Sequence, residues 1–369
     1  MRRLFFLLCT LIWCAQMQMQ AQVQSQAQSQ AQAQAQSQVQ SQSQERLHYW
    51  RDSVAFLQEQ ASLIFEQAYQ VLAAHPPGIT VDDERKLALY SLDALLHDTR
   101  LDNGPAFLAY AERVTGQIAA ELQKSKPTGR EIRFFRCYND GFILQTATVT
   151  IAIDLIRGQK ADRTFVSDAL MRTITEQCDI LFITHAHGDH TDPVVIDMFL
   201  EQGKEVIAPE KFRQAAPPAF RVLRGTNLIH ETIQLPAKNK ALSVHVYPGQ
   251  QGAMPNNVYV ITLPEGQTIM HTGDQDFTTD IGDKISDAQL KIDVLLVQCW
   301  MMPMNDFVSG VKPSLIICGH ENEMGHTIDH RESYWLTFRR MAEVKVPYVV
   351  MAWGERYTLP SFRDLNSGN

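Results

Sequence analysis

Thr184-His185-Ala186-His187-Gly188-Asp189-His190 places three imidazoles and one carboxylate within six residues of chain. The apolar run Ile180 to Thr184 just before it reads as a short strand. Residues two apart in extended chain point the same way, so His185 and His187 can converge on one ion. Gly188 permits a tight turn, after which Asp189 and His190 face a second ion. This donor set suits zinc or another borderline divalent metal. The competing explanation is a polar loop with chance histidines, and four ligands so close together at a strand end count against it.

The elements that must position this motif fall in two regions. From Glu131 onward strands alternate with helices, the pattern of an α/β domain with layered sheets and helices. Ile132 to Tyr138 reads as a strand, Asn139-Asp140-Gly141 as a hairpin turn, and Phe142 to Asp154 as further β sequence. Later strands are expected at Leu242 to Tyr247, Val258 to Leu263, Thr268 to Met270, Val294 to Val297, Leu315 to Cys318 and Tyr348 to Met351. A helix should open at Asp192-Pro193 and end near Gly203. Residues 45–125 read instead as an all-helical accessory region. Val54, Leu57, Ala61, Ile64, Ala68 and Leu72 give one apolar stripe. Thr80 with Asp83 is expected to cap a second helix through Leu87, Leu92 and Leu96. Pro105 should start a third, with Phe107, Ala111, Val114, Ile118 and Leu122 buried. Lys124 to Gly129 is the expected linker. His75, His97 and His230 are expected to be structural.

The chain begins differently. Arg2 and Arg3 precede the apolar run Leu4 to Cys14, the form of a secretory signal peptide over residues 1–15. A lipoprotein anchored at Cys14 is the lesser alternative, because Trp13 fits a lipobox poorly. Glutamine then occupies every even position from Gln16 to Gln44. Such a tract cannot bury enough apolar surface to offset its ordering entropy, so residues 16–44 are expected to be a disordered spacer. The chain is therefore expected to be exported, periplasmic or secreted. A net charge of −8 argues against a nucleic-acid partner. No apolar run of spanning length follows the first 15 residues. Six cysteines in 369 residues are too sparse for a disulfide scaffold.

The H-x-H-x-D-H motif resembles that of the metallo-β-lactamase fold superfamily. Other marks fall in the same order. Ile151-Ala152-Ile153-Asp154 resembles the family's early strand ending in aspartate. Met270-His271-Thr272-Gly273-Asp274 resembles the strand ending in the bridging aspartate, and Ile316-Ile317-Cys318-Gly319-His320 the last ligand strand. The resemblance spans Glu131 to the C-terminus and implies a four-layer αββα sandwich over 131–369. It is strongest to the lactonase and phosphodiesterase branch that includes ascorbate-6-phosphate lactonase and N-acyl phosphatidylethanolamine phospholipase D. It implies Zn2+, two ions, with Mn2+ or Fe2+ as alternatives. Asp274 would bridge them, and His320 would join Asp189 and His190 at the second.

One departure stands out. Where relatives place a ligating histidine shortly after a proline, this chain has Gln251 in Val246-Tyr247-Pro248-Gly249-Gln250-Gln251. An amide oxygen ligates more weakly than imidazole. His245 is the other candidate, although its alternation with Val244 and Val246 fits packing equally well.

The segment His320 to Arg331 is dense in ionisable groups. His326 is a candidate extra ligand, acid for the leaving group, or substrate contact. Glu321 and Glu323 could hold metal-bound histidines. Arg331 could pair with an anionic substrate, or Asp329, His330 and Arg331 could simply cap a helix and face solvent. His271 is expected beside the ligands rather than among them. Trp300 to Met304 could line an acyl pocket or pack in the core.

The implied activity is hydrolysis of an ester, lactone, amide or phosphodiester by a metal-bound hydroxide, with Asp189 orienting the nucleophile. The substrate would be a small or lipid-like molecule. The alternative is a metal-binding relative with little catalysis, because Gln251 replaces the histidine. An iron-dependent redox relative is the third reading. A β-lactamase role does not follow, because one fold hosts many substrates. No G-x-S-x-G elbow or Walker loop competes.

Overall fold

The computed structural model describes residues 52–210, 218–224, 227–235, 238–276, 280–301 and 303–360. The signal-peptide and glutamine-rich segments expected over 1–15 and 16–44 lie outside these residues. The chain divides into Met1–Leu57 and Gln58–Asn369. Of the first unit the structure describes Asp52–Leu57, where Ser53 to Leu57 open a helix.

Three helices come first, α1 (Ser53–Ala74), α2 (Asp83–Leu96) and α3 (Pro105–Leu122). The buried face of α1 is Gln58, Ala61, Phe65, Ala68 and Leu72. Val54, expected on that face, is exposed, and Phe65 takes the place assigned to Ile64. Asp82, not Thr80, caps α2, its carboxylate accepting from Arg85 N at 2.7 Å. Leu87 is exposed, while Leu92 and Leu96 are buried as expected. On α3 all five expected core residues are buried.

Two seven-stranded mixed sheets follow. The first contains β1 (Ile132–Arg136), β2 (Phe142–Gln145), β3 (Thr150–Ile153), β6 (Ile180–Phe182), β7 (Glu205–Ala208), β8 (Phe220–Val222) and β16 (Arg356–Leu359), in the order β16-β1-β2-β3-β6-β7-β8. The second contains β9 (Ile229–Leu235), β10 (Lys240–Gln251), β11 (Met254–Thr262), β12 (Thr268–His271), β13 (Val294–Gln298), β14 (Leu315–Gly319) and β15 (Tyr348–Val349), in the order β15-β14-β13-β12-β11-β10-β9. A two-stranded ribbon, β4 (Gln159–Lys160) and β5 (Arg163–Thr164), stands apart.

Strand periodicity explains the layering. Phe134, Leu144, Ile151 and Phe182 of the first sheet share one core with Val244, Tyr259, Ile269, Leu296 and Ile317 of the second. Alternate residues of the second sheet, among them Val260, Met270, Leu295 and Ile316, point the other way. They pack on α6 (Asp280–Asp287), α7 (Met304–Val311) and α8 (Tyr334–Met341) through Ile281, Ile285, Phe307, Val311 and Met341. On the first sheet, α4 (Asp168–Gln177) packs on α5 (Pro193–Glu201), which in turn packs on β6 and β7. Helices therefore cover two facing sheets, the expected αββα sandwich.

The expected β run from Phe142 to Asp154 is two antiparallel strands, broken where Thr146 accepts from the Thr148 and Val149 amides. The expected strands around Val244 and Val260 are longer than predicted and form one hairpin. Among the described residues, no helix is long and apolar enough to cross a membrane.

Candidate metal centre

The proposed ligands stand at the C-terminal ends of three strands with parallel neighbours. His185 follows β6, Asp274 follows β12 and His320 follows β14. Strand ends of this kind are where open α/β sheets leave a crevice for ligands. Hydrogen bonds join the two sheets there: Tyr259 OH donates to Ile183 O at 2.7 Å, and Asn257 N to Thr184 O at 2.8 Å. Gly273, at φ 52°, passes so close to Thr184 that a Cβ would lie 2.6 Å from the threonine Cβ. Only glycine lets the Asp274 loop approach the histidine motif.

Two donor clusters result. Ligand atoms of Asp189, His190, Asp274 and His320 all lie within 4.8 Å of one another, as do those of His185, His187 and Asp274. Asp274 belongs to both. His190 Nε2 lies 3.3 Å from Asp274 Oδ1 and 3.6 Å from Asp189 Oδ2. His320 Nε2 lies 3.3 Å from Asp189 Oδ2 and 3.4 Å from Asp274 Oδ2. His185 Nε2 faces His187 Nδ1 at 3.1 Å and Asp274 Oδ2 at 3.8 Å.

The fit to a divalent ion can be tested on orphaned atoms. His190 Nε2, His320 Nε2 and Asp274 Oδ1 are buried and have no hydrogen-bond partner. Leaving buried polar atoms unpaired is costly, and three converging on one point fit a cation. The surrounding bonds select the right tautomers. His190 Nδ1 meets Asp154 Oδ2 at 2.7 Å, and His185 Nδ1 meets Thr184 Oγ1 at 3.0 Å. Thr184 Oγ1 donates to Asp154 Oδ2 at 2.6 Å, so His185 Nδ1 is the donor in its own bond. With Nδ1 so engaged, Nε2 is the nitrogen that each ring turns toward the clusters.

The charges agree. Burial opposes protonation of His190 and His320, but the carboxylates of Asp274 and Asp189 outweigh it and hold both rings well above the usual imidazole range. Burial likewise opposes ionisation of Asp189 and Asp274, and the facing histidines, His190 first, hold both below the usual carboxylate range. His185 is pushed down to about 3, by burial and then by His190.

Gln251 reaches the site but presents its amide nitrogen, which donates to Asp274 Oδ2 at 3.0 Å. Its Oε1 is buried without a partner. His245 is in neither cluster. It lies opposite His230 across the β9–β10 ladder, and the two rings stack at 4.2 Å. His271 is buried beside the site, its Nε2 3.1 Å from Asp140 O and its Nδ1 accepting from Gly273 N.

The segment after β14 corrects several expectations. Arg331 is neither a surface residue nor open to substrate. Its buried guanidinium pairs with Asp102 at 2.7 Å and donates to Leu96 O. Glu321 does not hold a metal-site histidine; it forms a wholly buried pair with Arg136 at 3.1 Å and accepts from Thr337. Glu323 accepts from Tyr138 OH at 2.8 Å and from the Gly325 and His326 amides, so it shapes the loop around His326. His326 is half exposed, its ring centroid 6.0 Å from that of His320. Asp329 and His330 are exposed. Trp300 and Met301 separate: the Trp300 ring stands edge-on to His320 at 5.9 Å, while Met301 and Met304 are core. Met302 lies outside the described residues. The four described cysteines are buried and free.

Sequence reasoning missed the turn between β1 and β2. Asn139, at φ 54°, donates from Nδ2 to Asp189 O at 2.9 Å and Oδ2 at 3.2 Å, and its carbonyl accepts from His320 N. Asp140 is buried against Gly319 and His271. The Asn-Asp-Gly sequence signalled the hairpin and carried no sign of this second role.

An open cavity of about 770 Å³ reaches Asp189 and is lined by Tyr138, Ile156, Arg157, Val194, Glu323 and His326. Arg157 is held by Asp192 and Asp168.

This sandwich, with its donors at the strand ends, is the metallo-β-lactamase fold. Residues 138–314 match the family model described as the beta-lactamase superfamily domain, and the chain resembles that superfamily. Igni18, a metallo hydrolase from the hyperthermophilic archaeon Ignicoccus hospitalis KIN4/I, is similar at 16% identity and a TM-score of 0.47, over 63% of this chain and 99% of its own. An isothiocyanate hydrolase from Delia radicum gut bacteria is similar at 14% identity and a TM-score of 0.46, over 62% of this chain and 100% of its own. CmlA, a diiron beta-hydroxylase from Streptomyces venezuelae, aligns at 14% identity and a TM-score of 0.44, over 63% of this chain and 55% of its own. No curated protein sequence matches the chain.

Proposed function

We propose that the chain is an exported, metal-dependent hydrolase of a small or lipid-like molecule, acting on an ester, lactone, amide or phosphodiester bond. The observation that carries this reading is the pair of donor clusters meeting at Asp274, with the orphaned atoms of His190, His320 and Asp274 turned inward. Asp189, His190, Asp274 and His320 would hold one divalent ion, and His185, His187 and Asp274 a second. Zn2+ suits the imidazole-rich set, and Mn2+ or Fe2+ are the alternatives. Such ions, when bound, act as Lewis acids and make water acidic enough to supply hydroxide near neutral pH.

The chain's own residues do the rest. Asp154 and Thr184 fix the imidazole tautomers. Asn139 fixes Asp189, which orients the attacking water. His326, at the cavity wall, protonates the leaving group. The cavity admits a substrate of small-molecule size, and nothing in this reading calls for a nucleic acid. The signal-like segment over residues 1–15 is what supports export.

A second reading has one observation in its favour. Gln251 offers a donor to Asp274 rather than an oxygen to an ion, which weakens the cluster of His185 and His187 and favours a poorly active, metal-binding relative.

Elemental mass spectrometry on chain purified without chelator, paired with turnover of chromogenic esters, lactones, amides and phosphodiesters, separates these readings. Near two ions per chain and turnover abolished by Asp274→Ala are expected of the hydrolase. One ion with negligible turnover would favour the second reading. Wild-type turnover in Asp274→Ala would sink the site assignment.

A further inference from the structure

His320 opens the segment 320–333, which runs from the end of β14 to α8. His320 (φ 71°) and Asn322 (φ 59°) both occupy the left-handed region. Non-glycine residues persist there only where their surroundings over-determine them. The hairpin turn contributes one restraint, from Asn139 O to His320 N. Arg136, Tyr138 and Thr337 hold Glu321, Glu323 and Met324, and a further set of restraints comes from a single stretch, residues 93–102, at the end of α2 and in the connection that follows it.

Asp93 is buried, and its Oδ1 accepts from Asn322 Nδ2 at 2.9 Å and from Tyr334 N at 2.9 Å. Its Oδ2 accepts from Trp335 N at 3.0 Å. One carboxylate thus tethers a left-handed residue and also meets the first amides of α8, where an anion is favoured. His97 Nε2 meets Arg331 O at 2.8 Å. Asp102 takes both terminal nitrogens of Arg331, at 3.0 and 2.7 Å, and Arg331 reaches back to Met324 O at 3.1 Å. The segment is therefore gripped near its start, at Asn322, and at its end, at Arg331 and the first residues of α8.

We infer that Asp93, supported by Asp102, is a positioning residue for the metal ligand His320, and that the α2–α3 corner serves to fix the ligand-bearing segment. The inference rests on the reading of His320 as a ligand. Asp93 acts through Asn322 and touches no ligand atom. A hinged cover would contact this segment through solvent-exposed groups that part easily, whereas these contacts are buried or partly buried and those of Asp93 and Asp102 are charge-assisted.

The test compares Asp93→Asn with Leu72→Ala, which opens the buried face of α1 away from the segment. Zn2+ affinity is read by competition with a chromogenic chelator, and exchange of the 320–333 amides by hydrogen–deuterium mass spectrometry. Asp93→Asn should weaken Zn2+ binding at least ~10-fold, the scale of outer-shell losses at metal sites, and speed exchange in 320–333. Leu72→Ala should lower Tm and leave both readouts at wild-type values. Wild-type affinity and exchange in Asp93→Asn would overturn the inference, as would equal changes in Leu72→Ala. If Asp93→Asn does not fold, Asn322→Gly tolerates the backbone conformation, removes the tether and should show the same two changes; unchanged readouts would overturn the inference. If the wild-type chain binds no divalent ion, the ligand reading fails by itself. Exchange in the metal-free variant then decides the positioning role: faster exchange supports it and unchanged exchange overturns it.

Discussion

His190 Nδ1 lies 2.7 Å from Asp154 Oδ2, and neither group is exposed. The aspartate ends one strand and the histidine follows its parallel neighbour, so the sheet itself brings them together. Asp154 also accepts from Thr184 N and Oγ1, so one carboxylate orients the histidine and the loop that carries it. Asp154→Asn keeps the shape and puts an amide where two acceptor oxygens stood. Divalent-ion affinity should fall on the order of 10- to 100-fold, with Tm of the metal-free chain changing less than Tm of the loaded one. Chelator competition and calorimetry check this; unchanged affinity would show that the Asp154 bond does not tune the ligand.

Metal affinity should rise with pH. His190 and His320 are held above the usual imidazole range by Asp274 and Asp189 despite their burial, so both carry protons in the metal-free chain near neutrality. An incoming ion must displace those protons. Each proton released makes affinity rise about tenfold per pH unit while the ring is protonated. The metal-free chain behaves in the opposite sense. These raised values stabilise it below the unfolded imidazole pKa of about 6.5, and that stability is lost as pH climbs through the folded values. Competition titrations at pH 6, 7 and 8 read the first trend, and denaturant unfolding of metal-free chain the second. Affinity independent of pH would contradict the assigned protonation.

Gln251→His should tighten the ion held by His185 and His187. The glutamine already stands 3.0 Å from Asp274, so the replacement enters at the right place, and imidazole is a stronger donor to zinc than an amide oxygen. His245 does not supply the donor, because it stands outside both donor clusters, paired with His230 across the strand ladder. The expected result is a higher ion count per chain at limiting zinc, read by elemental mass spectrometry. An unchanged count would mean that a group outside the expected set completes the cluster.

The parts of this site that were legible are those whose spacing is local. The residues from His185 to His190 declare themselves because the strand period and one glycine suffice to make them converge. Asp274 and His320 were legible only through the resemblance, since one aspartate or histidine after an apolar run has many uses. Asn139 was hidden because a hairpin turn already accounts for an asparagine, and its partner Asp189 lies 50 residues away. Arg331 was misjudged for the same reason: its partner Asp102 is 229 residues distant, and a charged residue beside a helix ordinarily faces solvent. In α1 the apolar period was present, but Phe65 displaced Ile64 from the core, because packing selects among neighbouring apolar residues that share a pattern.

His326 is the residue on which the proposed chemistry can be separated from the proposed metal site. Its backbone amide is tied to Glu323, which Tyr138 holds from the other side. The Tyr138 phenol is kept protonated, first by burial and then by Glu323, so it remains the donor in that bond. The imidazole is left half exposed at the cavity wall, beside His320 and outside both donor clusters. Loss of a general acid costs typically ~10²- to 10⁴-fold in rate. His326→Gln should therefore lower kcat by about that factor, with metal content at the wild-type level. The loss should be smallest for substrates with an acidic leaving group such as p-nitrophenol, which needs no proton. A raised KM with kcat intact would make His326 a substrate contact instead, because that pattern marks an interaction made equally in ground and transition states. A lower ion count would make it a ligand. Measuring kcat, KM and metal content on the same preparation distinguishes the three roles.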